Sequence, residues 1–316
     1  MIDKEILKEN LNNTLLETNF SQLGELYRGK VRDNYIQKYK NKRILIASDR
    51  LSAFDRVITT IPFKGQLLNQ VSNFWFDKTA DIAPNHVIGV PDPNVTIAKE
   101  CKPFPIEMVV RGYITGSAWR AYKKGEAVSG IKFPEGLKKH QKLPETTITP
   151  STKEEKGIHD EPISREEIIE QGIVDKDVYE QVEEYVYKLF EFGQNYCAKN
   201  NLILVDCKYE FGLTADDEIV LIDEIHTPDA SRFWILDTYQ EKFDKGEEPD
   251  ILDKEFFRGW LMEQAFMGDG EIPDIPDDIR IELAQRYVKS YEIITGKEFS
   301  PALGNIKERI KKNLNL

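Results

Sequence analysis

The sequence predicts an α+β fold in two parts: a β-rich N-terminal lobe over residues 1–105 and a mixed α/β C-terminal lobe over 106–316. Three observations lead there. Short β-type segments divided by polar turns crowd residues 25–47. Two apolar segments, 202–207 and Ile219–Ile222, flank the polar turn 214–217 and read as a hairpin. The tail after Asp237 has a helical, charged pattern.

Taken in order, residues 1–22 read as a short helix ending in a polar turn. Glu25–Arg28, a turn at Gly29-Lys30, 31–39, a polar turn at Asn41-Lys42 and 44–47 follow as strands and turns. Leu67, Leu68, Val71 and Trp75 have helical spacing. Pro84 and the Pro91/Pro93 pair are expected to break the chain, and 106–110 resumes as a strand. Residues 125–162, rich in Gly, Pro, Lys and Thr, read as an exposed excursion. Ser164 with Glu167 makes a capping box, and Gly172 stops that helix. A longer helix carries Val178, Val182, Val186, Leu189 and Phe190 on one face.

Bulk properties exclude several classes. With 316 residues, 40% hydrophobic and 31% charged, the profile is globular. No apolar run reaches the roughly 18 residues of a membrane span. The start, MIDKEILKENLNNT, is too polar for a signal peptide. A net charge of -12 argues against a nucleic-acid surface. Cys101, Cys197 and Cys207 show no CxxC spacing and read as reduced thiols of a cytoplasmic protein. No zinc spacing involves the four histidines, and His159 reads as an exposed loop residue.

Residues 24–30 spell G-x-x-x-x-G-K, but Val31 stands where a P-loop needs Ser or Thr. A hairpin is the better reading. Lys30 and Arg32 then share a face, either beside a phosphate or merely exposed.

Within 202–212, LILVDCKYEFG, the alternation puts Asp206, Lys208 and Glu210 on one strand face. A hairpin turning near Asp216 is expected to bring Glu210 roughly opposite Asp223. Like charges so placed repel. A bound Mg²⁺ removes the conflict, since it takes one or two carboxylates plus phosphate oxygens, with Lys208 reaching a nucleotide phosphate. The alternative is a solvated face whose charges avoid one another.

Two turns look built for anions. RGYITGS follows a strand and precedes a helix over 118–124, so Arg111 and Ser117 suit a phosphate. Simple N-capping accounts for Ser117 but not for Arg111. TPDASR, after Asp223, repeats the recipe with Ser231 and Arg232, a surface ion pair being the alternative for the arginine. SDRLSAFD offers Ser52 and Asp55 to a sugar or amino-imidazole.

Five segments, ELYRGKVRD, ASDRLSAFD, VVRGYITGSAWRAY, LILVDCKYEFG and IVLIDEIHTPDASRFW, together resemble the SAICAR synthetase family in order and spacing. The resemblance implies an ATP-grasp-like or kinase-like β lobe on the α+β lobe, with Mg²⁺-ATP in the cleft. It implies ATP-dependent joining of L-aspartate to carboxyaminoimidazole ribonucleotide (CAIR). By position, Lys30 and Arg32 resemble nucleotide-phosphate contacts, and Glu210 and Asp223 metal ligands. Arg111, Ser117, Ser231 and Arg232 resemble contacts to the ribonucleotide phosphate and carboxylate, and Ser52 and Asp55 contacts to its imidazole or ribose. Adenine would lie against 101–104. Lys208 is expected to take part in the chemistry, with Asp229 or Asp160 accepting the amine proton. The partners are these small molecules, in a monomer or homodimer. A kinase-like phosphotransferase would need HRD and DFG segments, and neither is present.

Overall fold

Alternating apolar residues early in the chain build an antiparallel sheet. The computed structural model describes residues 2–153, 160–252 and 254–316, the Lys38 side chain excepted; His159 lies outside them. After α1 (Lys4–Glu9), β1 (Glu25–Arg28) and β2 (Arg32–Gln37) form the expected hairpin and β3 (Lys42–Ala47) pairs with β2. β4 (Arg50–Ala53) and β5 (Arg56–Thr60) make a separate hairpin. Helix α2 (Lys64–Lys78) follows. Then β6 (Val87–Asp92) and β7 (Val95–Lys99) complete the sheet in the order β1-β2-β3-β7-β6. The prolines therefore do not break the chain as expected. Pro91 sits in an edge strand, where a missing N–H need not leave a ladder bond unmade.

The second sheet comprises β8 (Lys102–Pro103), β9 (Ile106–Tyr113), β10 (Lys142–Ile148), β11 (Ser151–Thr152), β12 (Leu202–Leu213), β13 (Ile219–Ile222) and β14 (Ser231–Ile235). Helices α3 (Gly116–Lys123), α4 (Arg165–Glu170) and α5 (Lys176–Lys199) lie between its strands in sequence. Then come α6 (Leu236–Lys245), α7 (Glu255–Glu263), α8 (Asp277–Thr295) and α9 (Ile306–Leu314). β12 is the spine, pairing with β8, β9, β13 and β14. Residues on both of its faces are buried, so burial along it does not alternate. The apolar stripe Val182, Val186, Leu189 and Phe190 of α5 joins the main core beside it.

The capping box forms as read: Glu167 N–H donates to Ser164 Oγ over 3.1 Å, and Ser164 N–H donates to the Glu167 carboxylate over 2.9 Å. The excursion is not simply exposed. Val128, Phe133 and Leu143 close a small core with Ile114 and Ala118, and β10 pairs with β9. At the far end α9 returns to the first sheet. Ile306 and Ile310 bury against Tyr35, Ile44 and Val95, and Asp92 accepts from Arg309 at 3.0 Å and Asn313 at 2.7 Å.

Gly65, at the start of α2, lets that helix abut β3. A β-carbon there would lie 2.4 Å from the Ala47 carbonyl oxygen and 2.6 Å from Asn94 Nδ2. Gly65→Ala is expected to lower the unfolding free energy in urea by about 1–3 kcal/mol, the usual penalty for overpacking. An unchanged urea midpoint would contradict the close approach.

Candidate functional site

Between the two sheets lies a cleft of about 460 Å³ lined by the β1–β2 turn, the β4–β5 turn, Cys101, Pro103 and the face of β12. Lys30, Arg32, Ser52, Asp55, Lys208, Glu210 and Asp223 all open onto it. Pro103 lies where β8 pairs with Gly212.

The β1–β2 turn is braced from behind. The Arg50 guanidinium donates to the Lys30 carbonyl at 2.9 Å and the Gly29 carbonyl at 3.1 Å, and pairs with buried Asp33 at 2.9 Å. Ser48 Oγ donates to the Val31 carbonyl at 2.7 Å. Asp49 is 1% exposed and accepts from Leu15 N–H at 2.6 Å and Gly65 N–H at 2.8 Å. Burial pushes its pKa up to about 6 despite those bonds. In SDRLSAFD, then, Ser48, Asp49 and Arg50 are structural, while Ser52 and Asp55 face the cleft.

Lys30 pairs with Asp55, and Arg32 with both Asp223 and Glu224. On β12 the expected alternation holds, but the hairpin register differs by one. Glu210 pairs with Ile222, so Asp223 lies just past the strand, turned out by a left-handed backbone (φ 67). Nor are the carboxylates bare, as the expected need for a metal to relieve their repulsion supposes; lysines pair with them. Lys208 Nζ lies 2.5 Å from Glu107 and 2.7 Å from Glu210, and Lys153 pairs with the other Glu210 oxygen. Burial opposes ionisation of Glu210, but Lys208 and Lys153 outweigh it and hold its carboxyl below the ordinary range. Burial likewise works against the Lys208 ammonium, yet Glu210 and Glu107 raise its pKa well above the usual value. Burial and the Glu210 charge push Glu107 up.

A second cavity, about 240 Å³, is lined by Arg111, Ser117, Ser231 and Arg232. Asp206 sits between the two arginines, opposite Arg111 on β9 and Arg232 on β14. It pairs with Arg232 and lies 3.6 Å from Arg111. Thr115, not Ser117, is the N-cap of α3, which starts two residues earlier than expected. The Ser117 hydroxyl instead accepts from Arg111 at 3.3 Å.

The two cavities share Lys208, Asp229, Lys254 and Arg258 as a partition. Fully buried Lys64 donates to Asp229 Oδ2 at 2.7 Å and the Tyr287 hydroxyl to Oδ1 at 2.6 Å. Burial disfavours its charge, but Lys254 and Lys64 hold the carboxyl below the usual range. Both Asp229 oxygens are therefore engaged, one by Lys64 and one by Tyr287. Asp160 lines the first cavity.

Sequence reasoning missed Glu107, Lys153, Lys254 and Arg258. Glu107 shares a β9 face with Arg111 by parity, a signal open to use. Lys254 and Arg258 are four apart where α7 begins, which places them on one side of that helix. Lys153 carried no local signal.

Asp229→Asn would leave the Lys64 ammonium buried without its 2.7 Å partner. A loss of about 3–5 kcal/mol in unfolding free energy is expected, partly recovered by adding Lys64→Met. Because the folded pKa of Asp229 is depressed, its contribution is present at neutral pH and fades as pH falls through the acid range. Equal stability of wild type and single variant at pH 7 would contradict the pairing.

The family model described as SAICAR synthetase matches residues 25–273. A phosphoribosylaminoimidazole-succinocarboxamide synthase of Legionella pneumophila (strain Paris) is 48% identical over 299 residues, covering 92% of this chain and 95% of the relative. A SAICAR synthase from Saccharomyces cerevisiae, solved in complex with SAICAR, superposes with a TM-score of 0.80 at 34% identity, over 91% of this chain and all of that one. A type-2 SAICAR synthetase in complex with ADP superposes at 0.68 with 28% identity, over 88% of this chain and all of that one. In sequence and in its ATP-grasp-like architecture alike, the chain belongs to the SAICAR synthetase family of purine-biosynthetic ligases.

Proposed function

We propose that this chain condenses CAIR with L-aspartate at the expense of ATP, giving SAICAR, ADP and phosphate through an acyl phosphate. The observation that carries the reading is the shared partition. A cation-lined cleft suited to a triphosphate tail meets a two-arginine pocket suited to an anionic acceptor, with Lys208 on both. The ADP-bound and SAICAR-bound relatives support both halves.

In this reading the nucleotide lies between lobes 1–105 and 106–316, its adenine against 101–104 and its phosphates along Lys30, Arg32 and Lys208. Arg111, Ser117, Ser231 and Arg232 hold the ribonucleotide phosphate and carboxylate, and Ser52 and Asp55 its imidazole or ribose. Among the described residues no cluster of three or more His, Cys, Asp or Glu forms a cage for a metal. Mg²⁺ needs none, since it binds through one or two carboxylates and completes its shell with phosphate oxygens and water. Glu210 and Asp223, on the wall of one cleft, fit that requirement. The ion, when bound, would neutralise charge developing on the phosphates.

The γ-phosphoryl group moves to a carboxylate oxygen of the imidazole and ADP departs. The aspartate amine then attacks the acyl carbon, the C–O bond to the phosphate breaks, and the departing phosphate leaves with that oxygen and takes up the proton the amine gives up. Phosphoryl transfer asks the protein chiefly for positioning and charge neutralisation. Lys208 and Asp229 supply these: the first as a cation spanning both cavities, the second by fixing Lys64 and Lys254. The arginines keep mutually repelling anions within reach of one another. The setting is cytoplasmic.

Substrate omission tests the reaction. ADP release is expected to require both CAIR and aspartate; release indifferent to aspartate would point to another carboxylate–amine ligase. Glu210→Gln is expected to lower kcat by at least about tenfold and weaken the Mg²⁺ dependence, with the fold retained by circular dichroism. Wild-type kcat and metal dependence would remove the metal assignment.

A further inference from the structure

Behind the two-arginine pocket stands His140, a residue the sequence patterns did not single out. Its backbone is left-handed (φ 66) and its side chain 9% exposed. Nε2 lies 2.8 Å from Glu248 Oε2, and Nδ1 lies 3.1 Å from Thr115 Oγ1. A carboxylate only accepts, so Nε2 carries the proton and donates to Glu248. In the neutral ring Nδ1 then accepts from the Thr115 hydroxyl. The ring stands edge-on to Trp234, centroids 5.2 Å apart, and the Tyr239 hydroxyl donates to the His140 carbonyl at 2.8 Å. Lys139 also pairs with Glu248.

This clasp ends on the pocket. Thr115 is the N-cap of α3, and Gly116 and Ser117 follow it. Gly116 has φ +55, and a β-carbon there would come within 2.5 Å of the Arg232 guanidinium. The Arg232 guanidinium therefore packs directly against the turn. Ser117 Oγ accepts from Arg111. A shift of Thr115 would move both pocket cations or the contacts they make.

We propose that His140 is a positioning residue for the anion pocket: by bridging Thr115 to Glu248 it fixes the 115–117 turn against Arg111 and Arg232 so that they meet a phosphate already aligned. The inference rests on the reading that this pocket takes the ribonucleotide phosphate. It also gives the 125–150 segment a task, since that segment delivers His140 to the back of the pocket.

The charges around the ring come from its own loop (Lys139), from Glu248 and from Arg232 on β14. Burial holds the imidazole below its usual pKa, with Lys139 and Arg232 adding to that and Glu248 opposing it. An anion beside Arg232 offsets the repulsion, so phosphate binding raises the His140 pKa and, reciprocally, mild acid favours binding.

The test uses the full-length protein with inorganic phosphate as probe. Histidine ring signals are followed by NMR across pH, with and without phosphate, His140 being assigned by its absence in His140→Gln. The expected result is a higher His140 pKa with phosphate bound. His140→Ala is expected to weaken phosphate binding and raise the ribonucleotide KM about tenfold, with kcat and the ATP KM within about twofold. His140→Gln, which keeps a donor and an acceptor, is expected to restore part of the loss. A merely structural histidine would lower stability without this split. If Arg232→Met loses phosphate while His140→Ala keeps it, the positioning role is wrong and the pocket reading stands. If Arg232→Met also keeps wild-type affinity, both fall. Should His140→Ala fail to fold, the wild-type titration decides: a His140 pKa unmoved by saturating phosphate overturns the inference.

Discussion

The site depends on one constraint: charges gathered on a single strand face must be paired. Asp206, Lys208 and Glu210 project from the same side of β12, and every one of them meets an opposite charge from another element. Lys208 stands between Glu107 and Glu210; Asp206 stands between Arg111 and Arg232. Removing one member of a buried pair leaves the other with its full desolvation penalty, so each such pair resists losing a partner. In the proposed reaction the same pairing readies the site for anions. Phosphate groups can take over cations now held by carboxylates, and a divalent ion can take over the carboxylates released.

Two layers of charge serve different ends. Arg50 with Asp33, and Lys64 with Asp229, are almost fully buried and hold backbone or partition in place. Lys30, Arg32, Lys153 and Lys208 are partly exposed and face the cleft. The inner layer fixes the positions of the outer one. With a net charge of -12, these cations locally oppose the field of the whole chain, as the proposed binding of anionic substrates requires.

Much of this was legible in the residues. Strand parity is a two-residue period, so the shared face of Asp206, Lys208 and Glu210 followed from sequence alone. The capping box at Ser164 and the hairpin at Gly29 were equally local. What failed was non-local or single-residue. The one-residue offset at Asp223 comes from the 214–218 turn, which pairs Leu213 with Ile219 and so Glu210 with Ile222, and the left-handed Asp223 then leaves the strand. The β6–β7 hairpin was obscured by Pro91 and Pro93, tolerable only because β6 is an edge. Lys153 reaches Glu210 from just past β11, and Glu107 reaches Lys208 from β9; strand parity gives the face of Glu107, but no spacing in the chain encodes either meeting. The lysine partner of Asp229, Lys64, lies on α2, 165 positions away in sequence, beyond the reach of any local pattern.

The most direct measurement is a crystal structure with Mg²⁺ and an ATP analogue that cannot transfer its terminal phosphate. The expected result is phosphate oxygens against Lys30, Arg32 and Lys208, with the ion between Glu210 and Asp223. A nucleotide seated elsewhere, or those two carboxylates still held by Lys153 and Arg32 with no metal between them, would contradict it.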